Sequence, residues 1–187
     1  FVCIISEGTE NSTTKGVLMR LPVQQLIECY QNSLYAAAFN TCQNQMDAED
    51  VVQETFVQYY TNKKEFENEQ HIRAWLLRVV INKAKNINRT FWKKNRCSLE
   101  DYMETLSFPD SQSRDLFEEV MKLPEKYRIV IHLFYYEDYS IKEIADILKI
   151  SESNVKVRLN RGRTVLRDTL KEVGGQAVLG RQVSDAT

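Results

Sequence analysis

The sequence predicts an all-α protein, with two small helical domains joined by a flexible linker. Three observations carry this. Turn formers are scarce, 6 glycines and 3 prolines in 187 residues, too few for the many turns of a sandwich or barrel. Apolar residues, 43% of the chain, recur at helical rather than alternating spacing. The formal net charge of −1 hides acidic and basic blocks that alternate twice along the chain, a pattern expected of two separate modules. No apolar run approaches the roughly 20 residues that span a bilayer.

The elements follow in order. Residues 1–16, rich in Ser, Thr, Asn and Gly, read as a disordered segment without the basic n-region of a signal peptide. Helical periodicity starts near Val17, and "VQQLIECYQNSLYAAAFN" places Leu26, Ile27, Tyr30, Leu34, Ala37 and Ala38 on one stripe. "TCQNQM" interrupts it, and Asp47 offers an N-cap for a second helix whose inner face is Val51, Val52, Thr55, Phe56 and Tyr59. After the polar break "ENEQ", a third helix begins at His71. These helices make a first domain over 17–96. "CSLEDYMETLSFPDSQS" has weak periodicity, a proline and several acids, so 97–112 reads as an acidic linker.

The second domain covers 113–173. "LFEEVMKL" is a short helix ended by Pro124, and "EKYRIVIHLFYYED" is the next. Ser140 and Glu143 have capping-box spacing before Ile141, Ile144, Ala145 and Leu148. "LKIS" turns the chain and Ser151 caps a further helix. There Val155, Leu159, Gly162 and Leu166 face inward, while Lys156, Asn160, Arg163 and Arg167 lie outside. A short helix, a tight turn and a capped basic helix make a helix-turn-helix. Gly162 costs about 1 kcal/mol of helix propensity, which points to a close helix crossing. Residues 174–187 read as a flexible tail.

The stretch from His71 to Arg96 holds no acidic residue, yet carries Arg73, Arg78, Lys83, Lys85, Arg89, Lys93, Lys94, Arg96 and two tryptophans. Arg78, Asn82, Lys85 and Arg89 are spaced 4, 3 and 4 and share a stripe. Leu76, Val79, Val80 and Ile87 fall on another face, and Trp75 and Asn86 lie at the edge of the polar one. Cations engage phosphates, Asn reads base edges, and Trp supplies either a stacking plane or a core residue. From the residues alone, a nucleic-acid face and a solvated basic helix with a core Trp weigh equally.

"AEDVVQETFVQYY", then "HIRAWLLRVVINKAKN", then "SNVKVRLNRGRTVLR" in a C-terminal helix-turn-helix resemble a bacterial RNA polymerase sigma factor of the small extracytoplasmic-function (ECF) group of the sigma-70 family. The resemblance runs from about Val23 to Val173. It implies a first module that binds the polymerase clamp helices through Asp50, Gln53, Glu54 and Phe56. It implies that the Glu67–His71 loop, with Asn68, Glu69, Gln70 and His71, captures an extruded base of the promoter −10 element. Arg78, Asn82, Lys85, Asn86 and Arg89 would read and hold the melted strand. Ser153, Asn154, Lys156, Val157, Arg158, Asn160 and Arg161 match the recognition helix that meets the −35 element. Val157 stands where many relatives have a small polar residue, so a thymine-methyl contact replaces a hydrogen bond there.

The resemblance further implies core RNA polymerase (clamp helices and flap), double-stranded and melted promoter DNA and an anti-sigma factor as partners, in the cytoplasm. Catalytic, metal and cofactor sites are not expected. There are two His, no Gly-rich phosphate loop and no nucleophile–base pair, and Cys3, Cys29, Cys42 and Cys97 show no CxxC spacing. Two other readings stay open at this point. One is a helix-turn-helix regulator acting without polymerase; the other is a sigma-like decoy that binds polymerase or an antagonist without initiating.

Overall fold

The computed structural model describes residues 18–90 and 111–172, with side chains for 18–87 and 113–170. Among the described residues there are seven helices: α1 (Val23–Cys42), α2 (Gln45–Thr61), α3 (Glu69–Thr90), α4 (Ser111–Lys122), α5 (Glu125–Tyr135), α6 (Ile141–Leu148) and α7 (Glu152–Glu172). The expected disordered segment and tail, most of the linker, and Trp92 to Arg96 lie outside the described residues.

Helices α1, α2 and α3 pack on one another as the first bundle. The first helix starts at Val23, later than its periodicity suggests, because Pro22 stands at the N-cap position and Leu18 to Leu21 run extended. Met19 and Phe66 form an antiparallel bridge, with N–H···O distances of 2.7 and 3.2 Å. The cap of α2 is Asn44, not Asp47. The Asn44 side chain accepts from Asp47 N–H at 3.0 Å, which leaves the Asp47 carboxylate in the first turn, where the helix dipole favours it. Val51, Val52, Thr55, Phe56 and Tyr59 are buried as expected, and Trp75 is a core residue, edge-on to Phe66 at 5.6 Å and Tyr59 at 6.2 Å. Ile27 departs from its expected stripe: it is 37% exposed.

The second bundle is organised on α7, which α4, α5 and α6 all contact. Helix α4 starts at Ser111, inside the span expected to be linker. The Ser140–Glu143 capping box is present, and Ser151 Oγ accepts from Asn154 N–H at 3.2 Å. Lys149 adopts the left-handed conformation that turns the chain between α6 and α7. Val155, Leu159, Gly162 and Leu166 are all buried. A Cβ on Gly162 would stand 3.2 Å from Ile131 Cγ1, so the glycine is what lets α7 approach α5. Arg128, buried in α5, donates to the carbonyls of Met121 (2.9 Å) and Leu123 (2.7 Å), which satisfies the orphan acceptors at the end of α4.

The two bundles are in contact: α1 packs on α5 and α3 on α6.

Candidate nucleic-acid interface

On α3, Leu76, Leu77, Val80, Ile81 and Ala84 are sealed inside, which fixes the opposite face outward. Asn82 and Asn86 are exposed. Arg78 and Lys85 share that side but are half-buried by the second bundle. Arg78 donates to the Asp146 carbonyl of α6 at 2.6 Å. Burial lowers the Lys85 pKa; Glu125 acts against that and Arg158 adds to it. Arg89 lies in the last described turns of α3, outside the described side chains.

The segment expected to be a capture loop is shorter than the sequence suggested, because α3 begins at Glu69. Asn68 accepts from His71 N–H at 2.8 Å, and Glu69 accepts a hydrogen bond from Tyr30 of α1. Burial and that carboxylate raise the Tyr30 pKa. His71 is half-buried and edge-on to Phe66 at 5.4 Å, and Gln70 is exposed.

On α7, Ser153, Asn154, Lys156, Val157, Asn160 and Arg161 are exposed, and Val157 is bare to 46%. Arg158 Nε donates to Asn154 Oδ1 at 2.9 Å, one turn earlier on the same face. Arg161 hydrogen-bonds the Tyr127 hydroxyl and lowers its pKa. Arg163 departs from the outward placement its spacing suggested. Its Nε donates to Tyr135 Oη at 2.8 Å, and its guanidinium lies 5.4 Å from the centroid of Phe134. The helix thus offers a polar and cationic ridge of a size suited to a major groove.

Two family models match the chain: Sigma-70 region 2 over residues 26–96, and Sigma-70, region 4, over residues 113–166. The sequence is 30% identical over 153 residues to the ECF RNA polymerase sigma factor EcfG of Rhodopseudomonas palustris (strain TIE-1), a match covering 77% of this chain and 82% of that protein. The chain belongs to the ECF sigma factors. It is 29% identical over 167 residues to the ECF RNA polymerase sigma factor SigW of Bacillus subtilis (strain 168), across 79% of this chain and 88% of the relative. The structure of CnrH in complex with the cytosolic domain of CnrY matches with a TM-score of 0.59 at 26% identity, over 80% of this chain and 88% of that one. The sigma factor RpoE from Bartonella quintana, in complex with the anti-sigma factor NepR, shares the fold, with a TM-score of 0.60 at 20% identity over 79% of this chain and 96% of that one. Like other sigma factors, the protein is a promoter-specificity subunit of bacterial RNA polymerase, and its partners are core enzyme and promoter DNA.

This sigma factor carries a further surface between α1 and α2. Val23, Ile27, Val52, Phe56, Val57 and Tyr60 line an apolar groove of about 410 Å³. Val57 is 61% and Tyr60 76% exposed, while Phe56 is buried in its floor. Gln53 lines the groove, and Asp50 and Glu54 on the same helix are exposed; Glu54 is paired with Lys83 of α3 at 2.8 Å. Sequence reasoning named Asp50, Gln53, Glu54 and Phe56 here, and put Ile27 on the inner stripe of α1, but did not single out Val57 and Tyr60. The available signal was the excess of apolar residues over one stripe in α2. No helix of the described residues is long and apolar enough to cross a membrane.

Proposed function

We propose that this sigma factor divides promoter recognition among three surfaces, within a region 2 module over 17–96 and a region 4 module over 113–173. The α1–α2 groove seats the polymerase clamp helices. Phe56 and its apolar neighbours supply the contact area, and Asp50, Gln53 and Glu54 supply a rim suited to a basic helical partner. The turn with Asn68, Glu69, Gln70 and His71 takes up a base extruded from the −10 element. Asn82 and Asn86 read the start of the melted strand, while Arg78, Lys85 and Arg89 hold its phosphates. Extrusion costs a few kcal/mol, which a preformed site must offset.

On α7, Ser153, Asn154, Lys156, Val157, Arg158, Asn160 and Arg161 face the −35 major groove. A bidentate Arg–guanine pair is worth about 1–3 kcal/mol of discrimination, and Val157 favours a thymine methyl. The chain performs no catalysis of its own and works in the cytoplasm. An anti-sigma factor holds it inactive, as CnrY and NepR accompany CnrH and RpoE in their complexes.

The observation that carries this reading is that each module sets exposed amides or cations, Asn82 on α3 and Lys156 with Asn160 on α7, against a fully sealed apolar stripe. The test is run-off transcription with core polymerase and a promoter library. Products are expected from templates sharing two spaced elements. A folded protein that binds core but yields no product from any template refutes the reading in favour of a decoy.

A further inference from the structure

The seam between the modules is built around one carboxylate. Glu137, just past α5, is only 7% exposed. Its Oε2 accepts from Ser33 Oγ of α1 at 2.6 Å and from Arg73 of α3 at 2.7 Å. His132 Nε2 of α5 stands 3.4 Å from Oε1, without a well-formed hydrogen bond. Arg73 also donates to the Glu137 carbonyl at 3.3 Å and lies over the Tyr139 ring at 4.9 Å. Burial alone would raise the Glu137 pKa, but the neighbouring His132 and the hydrogen bonds from Ser33 and Arg73 outweigh it and hold the group at about 2. An acid of the second module is thus seated between a cation and a hydroxyl of the first.

The other polar links across the seam mostly end on backbone carbonyls. Arg128 donates to Asn40 O, Gln43 Nε2 to Met121 O at 2.6 Å, and Arg78 to Asp146 O at 2.6 Å. The same seam holds Arg78 Nε, His132 Nε2 and Tyr139 Oη, each buried without a hydrogen-bond partner. Unpaired buried polar atoms are costly, and Arg78 Nε and Tyr139 Oη lower the stability of the closed contact. Lys85 meets both signs across the seam, with Glu125 favouring its charge, Arg158 opposing it and burial opposing it most. Arg73, Arg78 and Lys85 are cations of α3, and the second module now covers what a strand's phosphates would engage.

We infer that the packed arrangement is a self-occluded form of this sigma factor, latched by Glu137 against Ser33 and Arg73, which must open before Arg78 and Lys85 can engage DNA. The consequence for DNA rests on the strand-facing role of α3; the latch itself does not. A polyanion and the second module compete for the same cations, so opening and strand binding are linked equilibria.

The test uses the full chain with Glu137→Gln, which removes the charge at constant shape, and Ser33→Asp, which sets a second carboxylate against Glu137 from the first module. Circular dichroism checks the fold. Small-angle scattering reads compactness, and amine acetylation reads Lys85 relative to Lys83, whose partner Glu54 lies in its own module. Both variants are expected to expand and to raise Lys85 labelling about tenfold, which corresponds to about 1.4 kcal/mol. Variants of native helicity that stay as compact as wild type, with Lys85 equally protected, overturn the latch. Ser33→Asp leaves the second module's internal contacts intact, so it decides the matter if Glu137→Gln loses helicity. A fluorescent single-stranded oligonucleotide separates the two claims: opening without tighter binding counts against the strand-facing reading of α3 and leaves the latch standing.

Discussion

Two cations on α7, placed together on the outward face in the sequence reading, have different surroundings in the structure, and salt titration distinguishes them. Lys156 is exposed on the ridge proposed to face DNA. Arg163 is committed to Tyr135 Oη at 2.8 Å and to the faces of Phe134 and Tyr135. If Lys156 neutralises one phosphate, Lys156→Ala should lower the slope of log K against log salt by about 0.9. Between 50 and 200 mM salt that is worth about 3- to 4-fold in affinity per contact. Arg163→Ala should leave the slope unchanged and cost stability instead. The lost hydrogen bond is worth about 1 kcal/mol and the cation–π contact about 0.5–1 kcal/mol, so about 1.5–2 kcal/mol in all. The assay is fluorescence anisotropy of a −35 duplex with reconstituted holoenzyme across a salt series, beside urea melts of the free sigma factor. An Arg163→Ala slope as shallow as that of Lys156→Ala, with unchanged stability, refutes the assignment.

Other perturbations probe the remaining surfaces. Asn82 is exposed, so Asn82→Ala should move stability by less than about 0.5 kcal/mol while slowing open-complex formation about tenfold, read by permanganate footprinting with core binding measured in parallel. Val57→Asp places a charge at a position 61% exposed, and should leave the thermal midpoint in place while weakening core-polymerase binding about tenfold in a pull-down titration. Because the Glu137 pKa is depressed from 4.5 to about 2 in the folded protein, its contribution is full above about pH 4.5 and is lost as pH falls towards 2. The groups facing it are Arg73 from α3, Ser33 from α1 and His132 from α5. The stability gap between wild type and Glu137→Gln, at most about 3 kcal/mol, should therefore shrink in acid denaturation series as the pH falls below 4.5.

The helix-turn-helix was legible in the sequence because its determinants are local. The Ser140–Glu143 box, the Ser151 cap and the small residue at 162 each act within a turn or at one crossing, and the structure contains all three. The cap of α2 was misplaced for an equally local reason. Asn44 and Asp47 are both competent caps, and the difference is decided by which one leaves an acid in the first turn rather than before it. Arg163 could not be placed by periodicity, since a helical wheel gives direction and not reach: a long side chain pointing sideways finds the aromatic pair Phe134 and Tyr135 on α5.

The contact between modules left little trace in the sequence, and its chemistry explains why. Cross-seam donors from Arg128, Gln43 and Arg78 end on carbonyl oxygens of Asn40, Met121 and Asp146. Every residue carries a carbonyl, so such acceptors leave no pattern of residue type. Glu137 sits in "YYED", at the end of the stretch read as a helix, and only the fold brings Ser33 and Arg73 to it from two other helices. The same reasoning explains why a basic face read from a helical wheel overstates what is available to DNA. On α3 the stripe at 78, 82 and 85 is real, but only Asn82 stands fully clear, while its two cationic neighbours are shared with the second module. A surface whose charges can be satisfied either by the chain itself or by a nucleic acid belongs to an equilibrium between the two. Its exposure in one conformation measures where that equilibrium rests, and its function depends on how little is needed to move it.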